Sequence, residues 1–302
     1  ESSKQAKLTL VPRDDRLEAK IDVEPEPGGA AAKAIADMTV GDLAPLLALP
    51  RAMDVVIVNR TTAASREESA RSLVEGAAGL FGDRLSAADR KQIEQVLTDL
   101  AQGRGDDASY GLHSKEGKTS LVFRGAVSDE KKFAAGVKGA IDLLRLRAIS
   151  EPVKQFVGEV TTKSGTRDIP GVGKVSQTKL SPKPSPMRTP AGGGAVTMGP
   201  RDFELVWLVK DGVGYAALSS DPSAAIVDLV SATGDTSLGA DPGARTSAES
   251  AGGSTTFAVY AQPLRLGLGH SMKGSAPVFV GLGKTGPNGW LRFDADGAAL
   301  KA

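Results

Sequence analysis

Residues 203–230 read FELVWLVKDGVGYAALSSDPSAAIVDLV. Phe203 to Val209 is apolar and rich in strand formers. Asp211-Gly212 then signals a tight hairpin, because glycine takes positive φ at no steric cost and aspartate tolerates it. Val213 to Leu218 returns as a second strand. Asp221-Pro222 opens a helix, with proline at its favoured first position, through Ile226, Leu229 and Val230. Two strands and then a helix define a unit in which a helix can cover an antiparallel hairpin.

The same order of elements is expected three more times. Leu8 to Val11 is a short apolar run, turned by Arg13-Asp14-Asp15. Leu17, Ala19, Ile21 and Val23 then alternate with polar residues as a half-buried strand should, and an Ala-rich helix follows over 30–38. Ser109 to His113 and Ser120 to Val127 form a second pair about the turn Glu116-Gly117. Ser128 caps the next helix, whose apolar face is Phe133, Val137, Ala140, Ile141 and Leu144. Val278 to Leu282 and Trp290 to Phe293 form the fourth pair, around Pro287-Asn288-Gly289, with a truncated helix after it.

Extra elements separate the first two units. Asp42 to Leu49 is a short helix ending at Pro50, and Met53 to Val58 is a continuous apolar run that reads as a buried strand. Glu67 to Phe81 places Ala70, Leu73, Val74, Ala77, Leu80 and Phe81 on one helical face. Ser86, with Asp89 three residues on, caps a second helix striped by Ile93, Val96, Leu97 and Leu100. Thr255 to Tyr260 adds a strand to the second half. The expected fold is α+β, antiparallel sheet covered by helices and built from repeated hairpin–helix units. Residues 1–180 form an N-terminal region with two such units and an inserted helical pair. Residues 181–202, with five prolines and three consecutive glycines, form a linker or long loop, and 203–302 form a C-terminal region with two more units. Gly234 to Gly253 is a second mobile candidate, with a short helix possible over 244–250.

Composition narrows the function classes. A 40% hydrophobic fraction with 24% charged residues suits a packed core, and a net charge of +1 gives no global field toward nucleic acid or membrane. With no cysteine there is no disulfide, thiolate metal site or cysteine nucleophile. No run of apolar residues is long enough for a transmembrane helix. The opening Glu1-Ser2-Ser3 lacks an initiator methionine, and the far end stops as a helix begins. The sequence therefore reads as a processed product or a piece of a longer chain. Heavy use of Ala, Gly and Arg beside only two asparagines, Asn59 and Asn288, suggests a GC-rich bacterial source.

Several motifs dissolve in context. Gly281-Leu-Gly-Lys-Thr-Gly286 matches a dinucleotide pattern, but a strand follows where phosphate binding needs a helix N-terminus. No nucleotide or other cofactor is expected. Ser128-Asp-Glu-Lys131 and Lys284-Thr-Gly286 resemble two elements of the penicillin-binding and β-lactamase proteins. That resemblance implies Ser128 as nucleophile, Lys131 as its base and Lys284 as a carboxylate anchor. The Ser-x-Asn element is missing, and a helix cap explains Ser128. Gly269-His270-Ser271-Met272-Lys273 falls one glycine short of a nucleophile elbow. His113 and His270 have no metal-ligand spacing and read as surface or packing residues. Asp294-Ala-Asp-Gly297 lacks the later ligands of a calcium loop and reads as a cap.

One charge feature stands out. Lys163, Arg167, Lys174, Lys179, Lys183, Arg188 and Arg201 lie in a window whose only acid is Asp168. They are candidates for contact with an acidic envelope protein or anionic polymer. Nucleic acid is not expected, because almost no aromatic residues stand among them to stack bases.

The runs LTLVPRDDRLEAKIDVEP (8–25) and FRGAVSDEKKF (123–133) resemble uncharacterised extracytoplasmic proteins of GC-rich bacteria, secreted or lipid-anchored. The resemblance implies a periplasmic or envelope location and carries no catalytic motif. The expected function is a non-enzymatic binding or scaffold module. The alternatives are a serine acyl-transfer enzyme using Ser128 and Lys131, and a purely structural domain of an envelope assembly.

Overall fold

The computed structural model describes residues 3–13, 15–115, 118–157, 159–182, 202–268 and 276–301. Among these the chain forms twelve strands and ten α-helices, an α+β protein. The first elements are β1 (Ser3–Arg13), β2 (Arg16–Pro25), α1 (Ala30–Ala36), α2 (Ala44–Leu47) and β3 (Val55–Arg60). Then come α3 (Ala63–Phe81), α4 (Ala87–Gly103), β4 (Arg104–Lys115), β5 (Lys118–Val127), α5 (Glu130–Leu143) and α6 (Arg147–Val157). Strands β6 (Val160–Ile169), β7 (Gly173–Pro182), β8 (Phe203–Lys210) and β9 (Val213–Ser219) follow, and then α7 (Pro222–Ser231) and α8 (Pro242–Ala251). The last are β10 (Thr255–Ala261), α9 (Pro263–Leu268), β11 (Val278–Thr285), β12 (Asn288–Asp296) and α10 (Gly297–Lys301). No helix among the described residues is long and apolar enough to cross a membrane.

The chain folds into two compact units assembled from separated segments. Unit 1 comprises 1–62, 106–125 and 224–302. Unit 2 comprises 63–105 and 126–223. In unit 1 the strands run β1-β2-β12-β11-β10-β3-β4, each antiparallel to its neighbour. Strand β10, expected to join the second half, pairs β11 on one side and β3 on the other.

The core of unit 1 lies on one face of these strands. Val56, Val58, Ala258 and Tyr260 are fully buried there, beside Leu43, Leu46 and Leu49 around α2. Burying each large apolar side chain contributes about 1.5–3 kcal/mol. Several buried polar groups on this face pair with one another. Tyr260 donates its hydroxyl to Asp241 Oδ1 at 2.8 Å and accepts from Gln262 Nε2 at 2.8 Å. Asp241 also caps α8 by accepting from Ala244 N. The stretch expected to be mobile over 234–253 is therefore tied down by a buried cap. Burial together with the Asp241 charge pushes the Tyr260 hydroxyl well above the ordinary tyrosine range.

Arg60 ends β3 on the same buried face. Its Nη1 donates to Thr255 O at 3.0 Å, its Nη2 donates to Asp42 O, and its Nε lies 2.6 Å from Asp107 Oδ1. Gly41 packs against the guanidinium, where a Cβ would lie 2.8 Å from Nε. The apolar run 53–58 thus alternates: Val56 and Val58 are buried, while Val55 and Ile57 are half-buried on the other side.

Unit 2 pairs β9-β8-β7-β6 antiparallel. The Asp211-Gly212 turn has φ of 53° and 72°, both positive as a two-residue primed hairpin requires. Helix α5 lays Phe133 edge-on against Trp207 at 6.3 Å, over Gly214. Helix α4 carries the expected capping box, Ser86 Oγ accepting from Asp89 N while Asp89 accepts from Ser86 N. Helices α4 and α5 approach through glycine. A Cβ at Gly136 would stand 2.8 Å from Leu100 N, and one at Gly139 would stand 2.5 Å from Val96 Cγ2.

Four local expectations change. The stripe of α3 is Arg66, Ala70, Val74, Ala77 and Phe81, the last three packing on Leu85, Ile93 and Ala148. Leu73 and Leu80 fall beside that stripe and stay exposed. The cap of α5 is Asp129, whose carboxylate accepts from Lys132 N at 3.0 Å, rather than Ser128. Ala140, expected on the apolar face of α5, is exposed, and Gly136 takes the buried place. The fourth hairpin turns at Gly286-Pro287, and its return strand already begins at Asn288.

Candidate functional site

Residues directly opposite across an antiparallel ladder point to the same face, and alternate residues to the other. Applied across unit 1, the register draws a row from Leu8 through Ile21, Leu291, Leu282 and Phe257 to Asn59. The next row runs from Leu10 through Ala19, Phe293, Val280 and Val259 to Ile57, and ends at Tyr110 on β4. A third row, from Leu17 through Val278 to Leu112, is apolar as well.

All three rows lie on the face opposite the core. Leu8 is 60% exposed, Leu10 58%, Leu291 40% and Tyr110 37%. Most of the remaining side chains are half-buried, and only the small Ala108 and Ala295 are closed off. At one end α1 sets Ile35 against Gly289, and Lys284 Nζ donates to Ala36 O at 2.6 Å. The reverse face of the outer strands is ionic. Lys20 pairs with Asp22 at 2.7 Å, Arg292 with Glu18 at 3.4 Å, and Arg16 with the buried Asp294. The outer hairpin is therefore amphipathic, and among the described residues its apolar side stays open at Leu8 and Leu10.

Seven strands and three rows extend over roughly 700 Å². The largest apolar patch on a typical monomer is about 300–600 Å² and often functional. Apart from the outer edge of β1, the backbone amides are engaged in the ladders, so the face itself offers side chains. Asn59 and Tyr110 are the polar residues of the first two rows, and no acid, base or nucleophile stands among them. Among the described residues, this surface presents mainly apolar side chains to a counterpart.

The residues expected from sequence fall in both units. Ser128 and Lys131 lie in unit 2 and Lys284 in unit 1. The Ser128 hydroxyl sits 2.8 Å from Gln102 O, 2.9 Å from Arg104 O and 3.2 Å from Gly103 O. Carbonyls hold a hydroxyl in place but do not remove its proton, and Lys131 is exposed to solvent.

Lys163, Arg167, Lys174 and Lys179 lie on β6 and β7, the first and last directly opposed. Two acids from outside the basic window, and Asp168 within it, lie beside them. Lys179 Nζ is 2.5 Å from Asp202 Oδ2, Arg167 Nη1 is 3.6 Å from Glu204 Oε1, and Lys174 stands across from Asp168. The hydrogen bond between them holds Asp202 below the usual carboxylate range and Lys179 above its own. Lys183, Arg188, Arg201 and His270 lie outside the described residues. His113 Nδ1 meets the fully buried Asp54 Oδ2 at 3.1 Å, which also accepts from Ser114 N at 2.7 Å. Asp296 caps α10 by accepting from Ala298 N, as its sequence context suggests. Among the described residues no group of His, Asp and Glu could hold a metal ion.

No family model and no curated protein matches the chain. Among solved structures, one described as crystal form III of TP0453 is similar, with a TM-score of 0.32 and 8% identity, over 87% of this chain and 96% of that one. Similarity at that level leaves the argument to the residues themselves.

Proposed function

We propose that this protein is a non-enzymatic binding or scaffold module acting outside the cytoplasm, with the open apolar face of unit 1 as its contact surface. One observation carries the reading. Three successive rows of apolar side chains face away from the core, with Leu8, Leu10 and Leu291 well exposed. Leaving such a face in water forgoes roughly 25 cal/mol for each Å² that a partner would cover. The extracytoplasmic location rests on the resemblance of residues 8–25 and 123–133. The four hairpin–helix segments, in this proposal, are copies of one unit whose loops differ.

Site-specific photo-cross-linking in the native cell tests the reading. A photoreactive residue at Leu10 or Leu291 should give discrete adducts, and one at Lys20 on the ionic face should not. Absence of adducts from both apolar positions would overturn the contact surface. Recovery of the protein in the cytoplasmic fraction would overturn the location.

A further inference from the structure

On the reading that this face is a contact surface, we infer that its occupant is a second copy of the same chain, packed face to face through the same rows. Apart from the outer edge of β1, the backbone groups of these strands are used within the sheet, so an occupant of the face must bring apolar side chains and few polar groups of its own. The same face of another copy does that. Its extent, roughly 700 Å², lies beside the about 800 Å² that each partner gives to a standard interface. A single hydrocarbon chain would cover one row and leave the others wet.

Charge points the same way. An isologous contact sets a surface against itself, so any charge within it meets its own sign. The three rows carry none, whereas the reverse of the outer hairpin carries Glu18, Lys20 and Asp22. Sheets pack about 10 Å apart with interdigitated side chains, which would bury Leu8, Leu10, Leu291 and Tyr110 together.

The test is sedimentation equilibrium of the full chain, wild type against Leu10→Glu/Leu291→Glu, with circular dichroism melts as a folding control. If that pair fails to fold, Leu10→Ser/Leu291→Ser replaces it. Because the chain has no cysteine, Leu291→Cys introduces a single thiol whose reactivity reports whether the face is open. The expected result is a wild-type dimer that the glutamates weaken more than about a hundredfold, since they would bury unpaired charge. The Leu291→Cys thiol should be shielded in the dimer and reactive on dilution. A wild-type monomer with a reactive thiol overturns the second-copy assignment and leaves the contact surface standing for a different partner. A monomer with a shielded thiol overturns both. A dimer indifferent to the substitutions also overturns the assignment, because association then runs through another surface.

Discussion

Replacing Arg60 with methionine asks how much one buried guanidinium contributes to unit 1. The Arg60 side chain is 5% exposed and ties three parts of the chain together: Thr255 O on β10, Asp42 O before α2, and Asp107 on β4. Methionine fills much of the aliphatic volume and donates nothing. Two carbonyls lose charged donors, each worth about 1.5–3 kcal/mol. Asp107 is 45% exposed, so its carboxylate rehydrates and adds little. The expected loss is about 3–5 kcal/mol. Of the two tryptophans, Trp290 lies in unit 1 and Trp207 in unit 2. Urea unfolding followed by fluorescence in a Trp207→Phe background therefore reports unit 1 alone. Arg60→Lys should recover no more than about half of the loss, because an ammonium cannot reach divergent acceptors as a planar fork does. A cost below about 1 kcal/mol for Arg60→Met would refute the argument, since it would mean the carbonyls find other donors.

Gly136→Ala should destabilise unit 2 by about 2–3 kcal/mol, because the new methyl meets the Leu100 backbone nitrogen, which cannot yield as a side chain can. The Trp207 unfolding midpoint checks it, with the exposed Gly79→Ala as a neutral or stabilising control. Ser86→Ala should cost about 1 kcal/mol, and Asp89→Ala should add little to it, since the two side chains form one capping box. Tyr260 keeps its proton in the folded state well past the ordinary tyrosine range, so the unfolded chain ionises first as pH rises. Its contribution to stability is present below about pH 10 and is lost above it. Absorbance titration should show Tyr260 silent until unfolding, and a smooth titration of all three tyrosines near pH 10 in the folded protein would contradict this.

Features written in short-range chemistry were legible in the sequence. The Asp211-Gly212 hairpin, the Ser86–Asp89 box and the helix opened by Pro222 depend on a few neighbouring residues, and each is found where those residues place it. What depends on distant partners was not. Asp129 replaces Ser128 as the cap of α5 because Ser128 is drawn to the carbonyls that end α4, some 25 residues away. Arg60 looks like a polar strand end, and its buried role needs Asp42, Asp107 and Thr255. Arg66 heads the buried stripe of α3 only because Ala101 O receives its Nε at 2.9 Å.

The candidate surface was half legible. Leu17, Ala19, Ile21 and Val23 announce an apolar face on β2, and Leu8 and Leu10 announce one on β1. Alternation does not say whether a helix covers that face, and in unit 1 α2 and α8 lie on the other one. Two counter-ions of the basic window, Asp202 and Glu204, lie just past its last residue, Arg201, so the window alone does not announce them.

The pairing of β2 with β12 also fixes an order of events. Ile21 and Leu291 are neighbours across the sheet yet lie roughly 270 residues apart in the chain, a separation that takes on the order of 15–50 s to synthesise. The β1–β2 hairpin therefore waits for β12, with Ala19 and Ile21 at an unzipped edge. The segments of unit 2 are complete at Ser223, well before β11 and β12 exist. Unit 1 opens before unit 2 and closes after it, so losing β12 alone would strand β1 and β2.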